Sequence, residues 1–226
     1  MQDVIIKQAP DIIPVLTDPA NLVVNIILAA ITFLAVLVAL FQEKIKDWFN
    51  LAHLDLDINV IPPDCHQIDL TDQNGVFISK SIYLRIRVKN TKGKTAKNVE
   101  IIASNLWKYN NNQYEIVKTF LPMNLKWSHL GRAKEIIPPK SFRFCDLGPV
   151  RPLAGSVILK LDTIVQPNPV SGGVLPNVIE AGKYKLELLI SGDNTKPKVY
   201  TWTIEFSNQW SNDEVAMLER INIEKN

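Results

Sequence analysis

The feature that most constrains this chain is an uncharged apolar run near its start, NLVVNIILAAITFLAVLVALF, which covers residues 21–41. Only two polar residues interrupt its last twenty positions. As a helix these twenty residues would extend about 30 Å, which is the hydrocarbon thickness of a bilayer. Asp18 can serve as the N-cap and Pro19 as the first helical residue, and no Gly or Pro interrupts the chain before Asn50. The run therefore predicts a membrane-crossing helix over residues 19–50.

A cleaved export signal is the alternative to a permanent anchor. Such a signal has a short basic start, about 7–15 apolar residues and a small-x-small cleavage site. Here three aspartates and one lysine precede the apolar run, the run is longer, and no such site follows Phe41. The sequence therefore predicts a retained anchor. It divides the chain into an extramembrane N-terminal tail (1–18), a transmembrane helix with a juxtamembrane extension (19–50) and a folded domain (51–226).

Lysine and arginine near the ends of a membrane span set its orientation. Lys44 and Lys46 follow the span closely, whereas only Lys7 precedes it. This small bias predicts that the C-terminal domain lies in the cytoplasm. The opposite orientation is the alternative, and there Cys65 and Cys145 could form a disulfide instead of remaining thiols.

Small or polar residues recur along one arc of the same helix, at every third or fourth position: Asn25, Ala29, Thr32, Val36 and Ala39. Small side chains let helices approach closely, and an asparagine can hydrogen-bond a neighbouring helix. The stripe predicts a helix–helix interface and a homo-oligomer formed through the membrane. The alternative is chance, because any apolar run that contains alanine can show such a stripe without a partner.

The C-terminal domain shows the period-two alternation of half-buried β-strands. LDLDINV (54–60) places Leu, Ile and Val on one face and Asp and Asn on the other, and SIYLRIRVKN (81–90) sets Ile, Leu and Val against Tyr, Arg and Lys. Further strands are predicted over 97–104, 114–120, 125–128, 141–146, 157–164, 183–190 and 199–206. Many short strands between turn-forming runs, without alternating helices, predict an all-β sandwich.

The last segment, SNDEVAMLERINIEK, differs from the strands before it. Ser211 followed three residues later by Glu214 is the pattern of an N-terminal capping box, and an apolar helical face follows. The segment predicts a short C-terminal helix, or a helix and then a strand, folded back on the sandwich.

The stretch RVKNTKGKTAKNVEI (87–101) resembles the strand–turn–strand unit of bacterial immunoglobulin-like and fibronectin-like sandwiches. In that resemblance Asn90 and Gly93 make the turn, and Ala96 and Val99 return to the core. The run GKYKLELLISGDNTKPKVYTWTIEF resembles the closing strand pair of the same domains, and the whole layout resembles prokaryotic single-pass membrane proteins that carry such a sandwich. The resemblance implies an immunoglobulin-like fold and says nothing about function, because sandwiches host many functions.

Motifs for catalysis and for bound groups are weak. There is no G-x-S-x-G nucleophile motif, and the nine glycines form no phosphate-binding loop. Cys65, His66, His129 and Cys145 supply enough thiols and imidazoles for zinc, but their spacing fits no zinc pattern. The sequence therefore predicts no enzyme, no cofactor and no metal site.

One electrostatic feature stands out, because residues 80–97 contain seven basic residues and no acidic residue. Six of the basic residues form the candidate ligand site: Arg85, Arg87, Lys89, Lys92, Lys94 and Lys97. Phosphate attracts lysine and arginine, so the site is predicted to bind an anionic lipid or a nucleotide, with nucleic acid or an acidic protein as further alternatives. Tyr83 on the same face could stack on a base. The alternative without a ligand is a charged sheet edge that resists aggregation.

These predictions favour a non-enzymatic interaction module that is anchored in the lipid bilayer and recruits or assembles protein partners at the cytoplasmic membrane face. A second hypothesis is a signal-gated oligomeric membrane effector of the bacterial defence type, whose basic sandwich face binds a nucleotide or nucleic acid. A third hypothesis places the sandwich on the envelope side, in adhesion or assembly. The sequence does not decide among the three.

Overall fold

The computed structural model describes residues 19–49, 51–128, 130–170 and 172–226, with the backbone alone for residues 44–49. The predicted N-terminal tail lies outside the described residues. The chain divides into two compact units, Met1–Phe49 and Asn50–Asn226.

The described part of the first unit is one long helix, α1 (Pro19–Phe49), which begins at the proline that the sequence indicates. Its stretch Pro19–Glu43 has 25 residues, and the most apolar 18-residue window in this stretch has a mean hydropathy of 2.8 and no burial. The helix is therefore long and apolar enough to cross a membrane, as predicted.

The described part of the second unit is built from fourteen strands and one short helix, α2 (Glu214–Leu218). The strands are β1 (Ala52–Asp57), β2 (Cys65–Thr71), β3 (Phe77–Gly93), β4 (Ala96–Asn110), β5 (Gln113–Ile116), β6 (Met123–Asn124), β7 (Lys126–Trp127), β8 (Glu135–Ile137), β9 (Ser141–Leu153), β10 (Ser156–Lys160), β11 (Val178–Glu180), β12 (Gly182–Ser191), β13 (Lys198–Phe206) and β14 (Ile221–Lys225).

The strands form two antiparallel sheets of seven strands each, which confirms the predicted all-β architecture. The first sheet has the order β1-β3-β9-β10-β11, with β2 also paired to β3 and β7 also paired to β9. Strands β1 and β2 share one edge of β3, since β2 pairs with its first half and β1 with its second half. The second sheet has the order β14-β13-β12-β4-β5, and β6 and β8 also pair with β4.

Alternation along β3 sends one set of side chains into the core and the other set to the outer face of the first sheet. Ile82, Leu84, Ile86 and Val88 are fully buried. Burying an aliphatic side chain of this size contributes about 1.5–3 kcal/mol, so this register is strongly fixed. The basic residues between them are consequently held on the outer face.

The turn after β3 carries the chain from the first sheet to the second. The side-chain amide of Asn90 donates to the carbonyl oxygens of Lys94 (2.8 Å) and Ile137 (3.0 Å). Gly93 has a φ of +91°, and a Cβ there would lie 2.1 Å from the carbonyl oxygen of Leu51. Asn90 and Gly93, predicted to make the turn, instead lie in the last residues of β3, the turn comprises residues 94–95, and β4 does not pair with β3.

Several strand ends differ from the prediction. Strand β1 ends at Asp57 rather than at residue 60, because the N–H of Asn59 is donated to the carboxylate of Asp64 (3.2 Å) instead of to a neighbouring strand. Strand β2 is absent from the predicted strands, since the proline-rich run before Cys65 indicates only a turn. The strands predicted over 114–120, 125–128 and 157–164 are shorter in the structure.

A C-terminal helix followed by a strand is confirmed, but the predicted capping box is wrong. The N-cap of α2 is Asp213, whose side chain accepts the N–H of Ala216 (2.8 Å). Glu214 instead accepts the backbone N–H of Gln67 on β2 (2.8 Å), and Ser211 accepts the N–H of Asp213 (3.2 Å). The helix N-terminus thus protects part of the edge of β2.

Candidate functional site

The candidate site begins on the outer face of β3. Arg85, Arg87 and Lys89 share this face as predicted, with Tyr83 before them, and all four are half-buried. Strand β9 lies along one side of β3, and β1 and β2 lie along the other. The outward residues of these neighbouring strands therefore decide what the basic side chains contact.

Two of the three strand-face cations pair with carboxylates of the same chain. Arg87 Nη2 lies 2.6 Å from Oδ1 of Asp64, whose side chain has no exposed surface. Lys89 Nζ lies 2.8 Å from Oδ2 of Asp57. The hydrogen bond from Lys89 lowers the pKa of Asp57. These two cations are therefore charge-compensated before any ligand arrives.

The two arginines also stack on aromatic rings of β9. The Arg85 guanidinium lies 4.5 Å from the ring centre of Phe144, and that of Arg87 lies 5.1 Å from the ring centre of Phe142. The centres of the two rings lie 5.4 Å apart in an edge-to-face arrangement, and Phe142 is 46% exposed. Arg85 also donates to the carbonyl oxygen of Pro63. We call Arg85, Arg87, Phe142 and Phe144 the arginine–phenylalanine patch.

A groove of about 510 Å³ opens beside this patch. Trp127, Leu130, Phe142 and Phe144 form its apolar lining. The indole N–H of Trp127 donates to the carbonyl oxygen of Val99 (3.2 Å), which fixes this wall against the core. A groove of this size and character can accept apolar side chains of another protein.

A polar network lies on the other side of Arg85, next to a second cavity of about 340 Å³. The Tyr83 hydroxyl donates to Asp162 (2.7 Å), Lys126 pairs with Asp162 (2.8 Å), and Ser128 donates to Asp146. Burial raises the pKa of Asp146, and burial with the Asp162 hydrogen bond raises that of Tyr83. The ring of Tyr83 is the predicted stacking surface, and the hydroxyl of the same side chain is hydrogen-bonded within the chain.

The other three predicted cations lie beyond the strand face. Lys94 lies in the turn between β3 and β4, Lys92 and Lys97 lie in the strand ends beside it, and all three are exposed. None of them forms an ion pair with a residue that the structure describes. The six predicted residues therefore form two groups, a strand face on which two of the three cations are ion-paired, and an exposed group around the turn that has no ion pair within the described residues.

The described members of the set considered for zinc, two thiols and one imidazole, do not come together. Cys65 and Cys145 flank β3 on opposite sides, and both are buried free thiols. Burial raises the pKa of Cys65 to about 12 and also raises that of Cys145. His66 follows Cys65 and projects to the other face of β2, and His129 lies outside the described residues. Among the described residues, no three His, Cys, Asp or Glu side chains are grouped to hold a metal ion.

The predicted helix–helix interface lies on α1. Its members are all exposed on the helix: Asn25, Ala29, Thr32, Val36 and Ala39. The Thr32 hydroxyl donates to the carbonyl oxygen of Leu28 (2.8 Å), so this group is satisfied within the helix. The interface stays a prediction.

Sequence reasoning missed the partners of the arginines. Phe142 and Phe144 alternate in the run SFRF, and this spacing indicates two aromatic side chains on the same face of a strand. The pairing of β9 with β3, which brings them to the arginines, is not visible in the sequence. Asp64 stands in the turn-forming run IPPDCH, and nothing there indicates an ion pair with Arg87.

Comparison with known proteins adds little. No family model matches the chain, and no curated protein matches it. Among solved structures, a chain described as "The archaeal flagellum of Methanospirillum hungatei strain JF1" matches with 15% identity and a TM-score of 0.31, over 85% of this chain and 93% of that chain. The immunoglobulin-like fold therefore stays a prediction.

Proposed function

We propose that the chain is a membrane-anchored interaction module, whose sandwich binds a protein partner and holds it at the cytoplasmic membrane face. The observation that carries the proposal is the arginine–phenylalanine patch on the outer face of the first sheet. Arginine and aromatic residues are enriched in the parts of interfaces that contribute most binding energy. Anchoring one binding module at a membrane raises the effective concentration of its partner there. This role requires no catalytic group.

The ion pairs on the strand face favour a protein partner over a nucleotide at this place. Arg87 and Lys89 already have carboxylate partners. A phosphate would have to compete with Asp64 for Arg87. If Arg87 turned towards the phosphate, the buried carboxylate of Asp64 would lose the cation that compensates its charge. An aromatic side chain of a partner can pack on the exposed Phe142 ring without breaking either pair.

The cytoplasmic orientation rests on the lysines that follow the membrane span and is tested by topology. Alkaline phosphatase and a fluorescent protein would be fused, separately, to the C-terminus of the full chain in a bacterial host. Fluorescence without phosphatase activity is the expected result. Phosphatase activity would place the sandwich outside and would contradict recruitment at the cytoplasmic face.

Site-specific photocrosslinking tests the binding surface. Benzoylphenylalanine at Phe142 is expected to crosslink a discrete protein in cells, whereas the same group at Tyr114, on a strand of the second sheet, is not. Arg85→Ala should reduce the Phe142 crosslink about fivefold, because a stacked cation contributes about 1 kcal/mol. Lys185→Ala is the matched control, since Lys185 lies 4.1 Å from the Tyr114 ring centre. Equal crosslinking at both positions would contradict the proposed surface.

A further inference from the structure

We infer that one end of the sandwich binds the headgroups of anionic lipids. Three turns lie at this end, between β3 and β4, between β8 and β9, and between β12 and β13. These turns and the strand ends beside them contribute exposed lysines. We call it the lysine end, and its members are Lys92, Lys94, Lys97, Lys140 and Lys196. The inference rests on the membrane anchoring in the proposed function and names the lipid class that the domain contacts.

Hydrogen bonds tie the three turns into one surface. The Asn90 side chain donates to the carbonyl oxygen of Lys94 (2.8 Å), and the Asn90 carbonyl accepts the N–H of Lys140 (2.8 Å). The N–H of Lys97 donates to Oδ1 of Asn194 (3.0 Å), two residues before the lysine of the third turn. The five lysines therefore lie on a single hydrogen-bonded end of the domain, although they are far apart in the sequence.

The charge of this end is not compensated within the described structure. None of the five ammonium groups forms an ion pair with a described residue, in contrast to Arg87 and Lys89. The structure describes every residue of these three turns, and Asp193 is the one acidic residue among them. The carboxylate of Asp193 accepts a hydrogen bond from the Asn98 side chain (2.6 Å). The lysine end thus presents a net positive surface.

The chain enters the sandwich at the same end. The N–H of Ala52 donates to the carbonyl oxygen of Asn194 (2.9 Å), and Ala52 pairs with Gly93 at the end of β3. The first strand of the sandwich therefore begins at the lysine end.

The chemistry of this end suits a charged bilayer surface. A lysine near an anionic leaflet gains about 1 kcal/mol, and the attraction fades beyond about one Debye length. Lysine offers a flexible point charge rather than the rigid fork with which arginine holds a single phosphate. Five lysines spread over three turns can each reach a different headgroup.

Lysine acylation in nanodiscs tests the inference on the full chain. The chain would be inserted into discs of phosphatidylcholine alone, or of phosphatidylcholine with phosphatidylglycerol, and pulsed with an acetylating ester. Mass spectrometry would then give the acylation rate of each lysine. We expect roughly fivefold slower acylation at the lysine end in the anionic discs. This factor corresponds to the stabilisation of about 1 kcal/mol that one lysine gains near an anionic leaflet.

Two internal controls accompany the measurement. Lys118 and Lys185, which lie after β5 and on β12, should react equally in both discs. Protection at the lysine end should disappear at about 1 M salt, where the Debye length is about 3 Å. A triple variant replaces lysines of the lysine end by Gln: Lys92, Lys94 and Lys97. In this variant the acylation rates of Lys140 and Lys196 in anionic discs should return towards those in neutral discs. A control variant with Gln at Lys108, Lys118 and Lys185 should leave these rates unchanged.

Equal acylation of the lysine end in the two discs would overturn the inference. Protection in neutral discs by inorganic phosphate or an oligonucleotide, without protection by the anionic lipid, would also overturn it and assign the end to a soluble anion. Failure here leaves the Phe142 crosslink intact, and loss of that crosslink leaves the lysine protection intact. A chain that enters neither disc would instead contradict the membrane anchor itself.

Discussion

Two aspartates beside the arginine–phenylalanine patch differ in burial, and so their ion pairs contribute differently to stability. The Asp64 side chain has no exposed surface, whereas that of Asp57 is 39% exposed. Removing one partner of a buried ion pair leaves the charge of the other partner buried without compensation. Because Arg87 keeps 23% of its surface exposed, we expect Asp64→Ala to lower the free energy of unfolding by about 2–3 kcal/mol and Asp57→Ala by less than about 1 kcal/mol. Urea denaturation in detergent, followed by tryptophan fluorescence, measures both, and equal losses would contradict the difference.

Asp146 is expected to affect stability in a pH-dependent way. Burial raises its pKa, so the folded state binds this proton more tightly than the unfolded state. The carboxyl group therefore costs stability as the pH rises from the unfolded pKa, near 3.8, through the folded pKa. The side-chain amide introduced by Asp146→Asn does not titrate, so this variant should gain stability relative to the unchanged chain between about pH 4 and about pH 7. Unfolding free energies at the two pH values test this, and a constant difference would argue against it.

At the scale of elements, the turn between β3 and β4 depends on a glycine. Gly93 has a φ of +91°, and a Cβ there would lie 2.1 Å from the backbone oxygen of Leu51, whereas Gly75 has a φ of +79° and open space around it. We expect Gly93→Ala to cost at least about 3 kcal/mol and Gly75→Ala about 1 kcal/mol, because only the first adds a clash to the backbone strain. The melting temperature should fall by about 6–12 °C and about 2–4 °C respectively. Equal shifts in a thermal unfolding experiment would show that the clash is relieved.

The same scale explains what the sequence could and could not predict. Strands β3, β12 and β13 alternate cleanly because one face of each lies in the core, so their residues were predictable. Arg85, Arg87 and Lys89 share a face for the same reason. Their contacts were not predictable, because Asp64 and Phe142 reach them only through the pairing of separate strands. Periodicity shows which way a side chain points, but it does not show which strand lies beside it.

For the whole molecule, the stripe on α1 is the predicted element of assembly. Asn25 and Ala29 are exposed on the helix, and an amide and a small residue on one arc favour close helix pairing. We expect Asn25→Leu with Ala29→Ile to weaken self-association about tenfold, whereas Ala30→Ile, about 100° further around the helix, should have little effect. Energy transfer between labelled copies in neutral vesicles measures this, and equal effects of the two variants would contradict the interface. A loss of self-association confined to the stripe variant would make α1 the assembly element. Each assembly would then present several arginine–phenylalanine patches on one membrane surface. Several patches on one surface strengthen binding to a multivalent partner.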